Sequence, residues 1–325
     1  MSWRLRIEHT TRSKYAGPVV NSFNEARMTP LTLPTQTTLD ARVTVGPGAV
    51  PTWTYNDYWG TYVTAFELPE PHDDLLIRAT SLVETEAFPG IPAPSERPGW
   101  GEIGAKAAAG RLLEMLLPTP LTTLAPEVSG AGASSVAGLA PDEAAEAISA
   151  QVRERITYLP GATGVRTNAQ EAWDQGQGVC QDMAQLTVAL LRAAGLPARY
   201  VSGYLHPDAH AEPGRVAVGQ SHAWVEYWAG SWIPLDPTSG AEVGQRHVVV
   251  ARGRDYTDVP PLKGLYHGPP DSDMEVTVEV TRLALAVGRV AAHVRAVVRW
   301  VRGRRRRGRR YDIAGIGRTR PRRRR

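Results

Sequence analysis

Prolines 89, 92, 94 and 98 crowd the stretch FPGIPAPSERPGWG at residues 88–101. So much proline can form neither a long helix nor a central strand. The chain must therefore change direction or domain there. What precedes it is strand-like: WRLRIEHTTRSKY, LDARVTVGP, WGTYVTAFELP and LLIRATSLVETEAF are short, rich in Val, Thr, Tyr and Phe, and partly alternate apolar with polar residues. Turn clusters such as VGPGAVP and YNDYWG separate them, which predicts an antiparallel β-sandwich-like domain over residues 1–88.

Past the linker the period lengthens. Residues 105–117 are strong helix formers that stop at Pro118, and 142–158 begin with acids after Pro141, as a helix N-terminus requires. In GVCQDMAQLTVALLRAAGLPARYVSGY, Met183, Leu186, Leu190 and Leu191 recur at helical spacing. That helix is expected over 179–194, closed by Gly195 and Pro197. Strands follow in ARYVSGYL, SHAWVEYWAG and SWIPLDPT, the last two joined through Ala229 and Gly230 as a hairpin. Helices followed by a sheet make residues 102–283 an α+β domain.

At 325 residues the chain exceeds the usual size of one core, which favours two domains and an appendage. The single Cys cannot form an intramolecular disulfide, and MSWRLRIEHT lacks the apolar stretch of a secretory signal. The expected compartment is the cytoplasm. No run reaches the roughly 20 apolar residues of a membrane-spanning helix. The net charge of +4 averages two unlike regions: from Arg299 onward lie 14 of the 37 basic residues and one of the 33 acids, so the body is acidic.

That lone Cys180 opens an apolar-periodic run, where a helix N-terminus favours a thiolate. A nucleophile needs a base. Of the 8 His, only His222 sits in a strand flanked by large aromatics, in SHAWVEYW, and Asp236 closes the next strand in WIPLDPT. Antiparallel neighbours would let His222 and Asp236 face each other and meet Cys180, as nucleophile, base and orienting carboxylate. The Cys180 backbone N–H is one natural oxyanion donor.

The blocks GVCQDMAQL, LLRAAGLPARYVSGY, HAWVEYW and WIPLDPTSG resemble, in order, the bacterial transglutaminase-like superfamily, and the resemblance continues in RDYTDVPPLKGLYHG. IEHTTRSKY, NEARMTPL and DYWGTYV are similar to the β-rich region that precedes this core in bacterial members. The resemblance implies a papain-like catalytic domain with Cys180 as nucleophile, His222 as general base and acid, and Asp236 as third member. It further implies acyl transfer from peptide or protein amides through a thioester, without cofactor or metal. Hydrolysis is preferred over cross-linking because no amine-specific tunnel is visible in the sequence. The alternatives are a protein-glutamine gamma-glutamyltransferase and a non-catalytic binding module of the same fold.

Other residues divide between chemistry and packing. Tyr204 could line the cleft or pack, while Trp224, two positions from His222, should share its strand face and shield the imidazole. Asp182 and Gln181 flank the nucleophile; Asp182 is read as a favourable charge at the helix start with no chemical role. His206 and His210 have a metal-like spacing, but Pro207 argues for a loop over 206–219 that could wall the cleft. In the tail, 284–325, Val287, Val290, Val294 and Val301 oppose Arg289, Arg295 and Arg302 on a helical wheel. Such a basic amphipathic segment and its Arg runs suit an anionic membrane or nucleic acid, or else a disordered appendage. Oligomeric state leaves no trace in the sequence.

Overall fold

In β1 (Ser2–Ala26), Trp3, Leu5, Ile7, His9 and Thr11 turn inward while Arg6, Glu8 and Arg12 face solvent, the period of two that a pleated strand imposes. The structure is a computed structural model that describes residues 2–48, 50–219, 221–269 and 272–284. Four strands follow before the linker: β2 (Gln36–Gly46), β3 (Thr52–Asn56), β4 (Tyr62–Leu68) and β5 (His72–Glu86). β1 is long enough to serve two ladders. Its first half pairs antiparallel with β5, and its end pairs with β4, which pairs with β3. Met28 joins Val45, Phe66, Leu75 and Ile77 from both ladders in one apolar cluster, the sandwich-like packing the alternation predicts.

Beyond the linker come α1 (Trp100–Ala108), α2 (Pro126–Ser135), α3 (Pro141–Arg155), β6 (Thr157–Tyr158), α4 (Ala169–Gln175), β7 (Gln177–Gly178) and α5 (Cys180–Ala193). The helix expected over 105–117 is displaced. It starts at Trp100, where the Gly99 N–H donates to Glu102 Oε2 at 3.1 Å, and ends two residues before Gly110, a poor helix former. The expected 142–158 helix ends early because Thr157 and Tyr158 pair with β7. α5 matches its reading to within a residue at each end, closed by Gly195 at φ 90°.

The remaining strands are β8 (Ala198–Leu205), β9 (Val216–Gly219), β10 (Ser221–Trp228), β11 (Trp232–Leu235), β12 (His247–Gly253), β13 (Leu262–His267) and β14 (Ser272–Leu283). One antiparallel sheet runs β11-β10-β8-β12, and the β10–β11 hairpin turns through Ala229 and Gly230 as the sequence predicts. Met183, Leu186 and Leu191 of α5 share a single core with Tyr200, Val225 and Tyr227 of this sheet. The helix bearing Cys180 is thereby fixed against the strand bearing His222.

β14 pairs with β1 from Leu283 opposite Arg4 to Ser272 opposite Tyr15, and β9 pairs with β14. The N-terminal sheet therefore runs β2-β5-β1-β14-β9 and takes in strands from far beyond the linker. The segment read as a loop over 206–219 ends in strand β9, whose partner lies about sixty residues on and leaves no local signal. Met1–Ala284 forms one compact unit. Among the described residues, no helix is long and apolar enough to cross a membrane. Beyond Ala284, the basic tail read from the sequence lies outside the described residues.

Candidate active site

Cys180 is the first residue of α5, and the turn before it is built to hold it there. Asp182 Oδ2 accepts the Val179 N–H at 2.8 Å and the Thr163 hydroxyl at 2.6 Å. A Cβ on Gly178 would lie 2.8 Å from Asp182 Cβ, so glycine is what lets this carboxylate close on the backbone. Asp182 is buried, and burial raises its pKa above the usual carboxylate range despite these hydrogen bonds. It braces the turn that carries Cys180, a more specific task than the helix-start charge read from the sequence.

His222 stands at the start of β10. The register places Val225 opposite Leu235, so Asp236 lies one residue past the paired strand and reaches His222 diagonally. His222 Nε2 is 2.9 Å from Asp236 Oδ2, which leaves Nδ1 for the Cys180 thiol, whose nearness favours the charged ring. Burial disfavours the charged imidazole. Hydrogen bonds and attraction from Asp236 and Cys180 outweigh that, and the pKa of His222 is pushed up to about 9.

Asp236 is held from every side. Oδ1 accepts the Thr238 N–H at 2.9 Å and the Ser239 N–H at 3.3 Å, while Oδ2 accepts the Ser239 hydroxyl at 2.7 Å as well as His222. Burial alone would raise its pKa, but His222 foremost, then His247 and the Ser239 hydroxyl, hold it far below the usual carboxylate range. A carboxylate has about four lone-pair positions, and protein donors take all of them. His247 Nε2 lies a further 3.5 Å from Oδ2. The ligand atoms of His222, Asp236 and His247 fall within 4.8 Å of one another, yet an ion there would have to break the His222–Asp236 bond.

Trp224 lies behind the imidazole. It is fully buried, its ring 6.0 Å from that of His222 and tilted by 26°, with His247 edge-on to it at 5.3 Å. Gly203, opposite His222 in the ladder, makes room for it: a Cβ there would meet the Trp224 ring at 2.7 Å. Tyr204 is buried beside the cleft, its hydroxyl 2.9 Å from His9 Nδ1, and it is His9 that lines the cleft. His206 is buried against Trp3 and accepts the Asp208 N–H through Nδ1, whereas His210 is exposed, so the two do not converge.

In front of Cys180, which is partly exposed, lies a cleft of about 400 Å³ that both Cys180 and His222 line. Tyr158, Tyr200 and Tyr256 also line it, with His9 and Thr11 from β1 and Met274 and Val276 from β14. None of these was singled out from the sequence. His247 was missed as well; its one local signal is a histidine opening the apolar run HVVVARG.

Residues 129–237 match the transglutaminase-like superfamily and residues 5–84 the bacterial transglutaminase-like N-terminal region. An uncharacterized protein of Mycobacterium leprae is 44% identical over 87% of this chain and 100% of its own length. A protein-glutamine gamma-glutamyltransferase of Pseudomonas aeruginosa is 32% identical over 35% of this chain and 18% of its own. Among solved structures, a Cytophaga hutchinsonii protein described as a candidate cysteine protease superposes with a TM-score of 0.69 at 19% identity, covering 89% of this chain and 93% of that one. That likeness shows the fold.

Proposed function

Because this chain belongs to the transglutaminase-like superfamily, we propose that it is a cysteine enzyme that takes acyl groups from amides through a thioester and delivers them chiefly to water. One observation carries the reading: a single imidazole is bonded to a buried carboxylate and lines one cleft together with a partly exposed thiol that favours its charged form. An imidazolium beside sulfur, with the free N–H groups of a helix N-terminus, favours the thiolate.

The chemistry follows from the geometry. The thiolate of Cys180 attacks the amide carbonyl, and the oxyanion forms within reach of the Cys180 backbone N–H. His222 gives its Nδ1 proton to the departing nitrogen as the C–N bond breaks, leaving a thioester and a neutral ring. That ring then takes a proton from an incoming water, whose oxygen bonds to the carbonyl. Collapse of this second intermediate breaks the C–S bond and releases the carboxylic acid. Asp236 keeps Nε2 protonated throughout and fixes the ring's orientation. Water has direct access, since exposed rim residues such as Met274 open the cleft to solvent.

Iodoacetamide at pH 6 should alkylate Cys180 at least ten times faster than it alkylates free cysteine, and His222→Ala should abolish the excess. Equal rates would reduce the protein to a binding module of this fold. Incubation with a glutamine-containing peptide and a labelled primary amine should release ammonia with little label incorporated. Abundant incorporation would favour the gamma-glutamyltransferase reading instead.

A further inference from the structure

Charged residues make up 22% of the chain, yet among the described residues lining the cleft none is Asp, Glu, Lys or Arg. Formal charge there is confined to the reacting pair. One wall comes from the N-terminal sheet, through His9 and Thr11 of β1 and Met274 and Val276 of β14. His9 is buried and bonded to the Tyr204 hydroxyl, with Thr11 Oγ1 at 3.3 Å from Nε2. Burial pulls its pKa down to about 4, so this wall is uncharged at neutral pH. On β14 the acids Asp273 and Glu275 alternate with Met274 and Val276, and the pleat sends them to the opposite face.

The rim is apolar and uncovered. Met274 is 62% exposed and Val276 45%, and Val165 is 57% exposed where it lines the same cleft. A single exposed apolar side chain needs no explanation; several around one activated thiol form a surface that gains by being covered.

We infer that the cleft selects amide substrates whose residues beside the reacting carbonyl are uncharged and apolar, and that the wall lent by β1 and β14 reads them. The inference rests on Cys180 being the acylated residue. A Lys or Glu seated against this wall would give up part of its water with no charged partner to replace it, whereas an apolar side chain would bury Met274 and Val276. One such group commonly discriminates by about 10- to 200-fold.

Peptidyl chloroacetamides bearing Leu, Lys or Glu next to the reactive group test it on the full chain. The readout is the rate of Cys180 modification by intact mass, each divided by that reagent's rate with glutathione. The Leu reagent should lead both charged ones by about ten-fold or more. In the double variant Met274→Glu, Val276→Glu, at positions exposed enough to leave the fold alone, the Lys reagent should overtake Leu. Equal corrected rates for all three reagents, or an unchanged order in a variant with native circular dichroism, would overturn the inference. A Leu preference combined with ordinary iodoacetamide reactivity would sink the acyl-enzyme reading, and the substrate inference with it, and leave only a cleft that favours apolar groups.

Discussion

The two ends of β10 handle charge in opposite ways. At Glu226 the strand buries a carboxylate between two guanidinium groups: Arg199 Nε donates to Oε2 at 2.6 Å and Arg252 to Oε1 at 2.8 Å, with Arg199 also over the Trp232 ring at 3.9 Å. Four residues earlier, His222 faces a cleft whose walls carry no formal charge. One end spends its charges on each other. The other pairs His222 with Asp236 and lines the cleft in front of it with no further charge. In a medium of low dielectric constant an unpaired charge is costly, so the difference sets a structural end apart from the end proposed to be chemical.

Breaking the chemical end should have the largest effect. Asp236→Asn preserves the shape but removes the anion that holds Nε2–H, and turnover of a glutamine-containing peptide, followed by ammonia release, should fall on the order of 10³- to 10⁴-fold. A loss under ten-fold would mean that Asp236 only packs. Breaking the structural end should cost folding energy while sparing chemistry in the folded fraction. Glu226→Ala leaves two part-buried guanidinium groups without their partner, and urea denaturation should show a loss of up to about 3–5 kcal/mol. Stability unchanged to within 1 kcal/mol would place that cluster in effective contact with solvent.

The smallest effect is a difference in pH response. His222 is raised to about 9 from an ordinary 6.5, so its contribution to stability is complete below the ordinary value and is lost as pH rises through 9. Glu226 is shifted the other way: burial opposes its ionisation, but Arg252 and Arg199 outweigh burial and hold it below its ordinary 4.5. Its contribution is present above that value and is lost as pH falls through the depressed one. Thermal midpoints measured against pH should therefore show Glu226→Gln flattening the acid limb alone, and Asp236→Asn flattening the alkaline limb as well as the acid one, since Asp236 is itself depressed. Superimposable limbs in both variants would erase the distinction between the two ends.

Much of the chemical end was legible because its residue types are scarce and their surroundings distinctive. A lone Cys after glycine at a helix start, a His inside an aromatic strand and an Asp at the next strand's end leave few other assignments. What escaped was whatever depends on partners remote in sequence. Tyr204 could be read equally as lining or packing until His9, 195 positions away, was seen bonded to it. His247 reaches Asp236 only because β12 lies beside β8 in the sheet. The displaced start of α1 has a different cause: a side-chain cap at Gly99 outweighed the run of helix formers that follows it.

By itself the sequence determined most of the elements and named the candidate site residues, since pleat and helix periods, caps, proline breaks and the placement of a single thiol are all local and act within a few residues. Only the tertiary structure decided what surrounds the thiol. Antiparallel pairing joined β1 to β14 across some 260 residues and so brought an apolar, uncharged wall to the cleft. Strand partners are chosen by burial of whole faces, and that choice is made by the folded chain as a body rather than by any stretch of it.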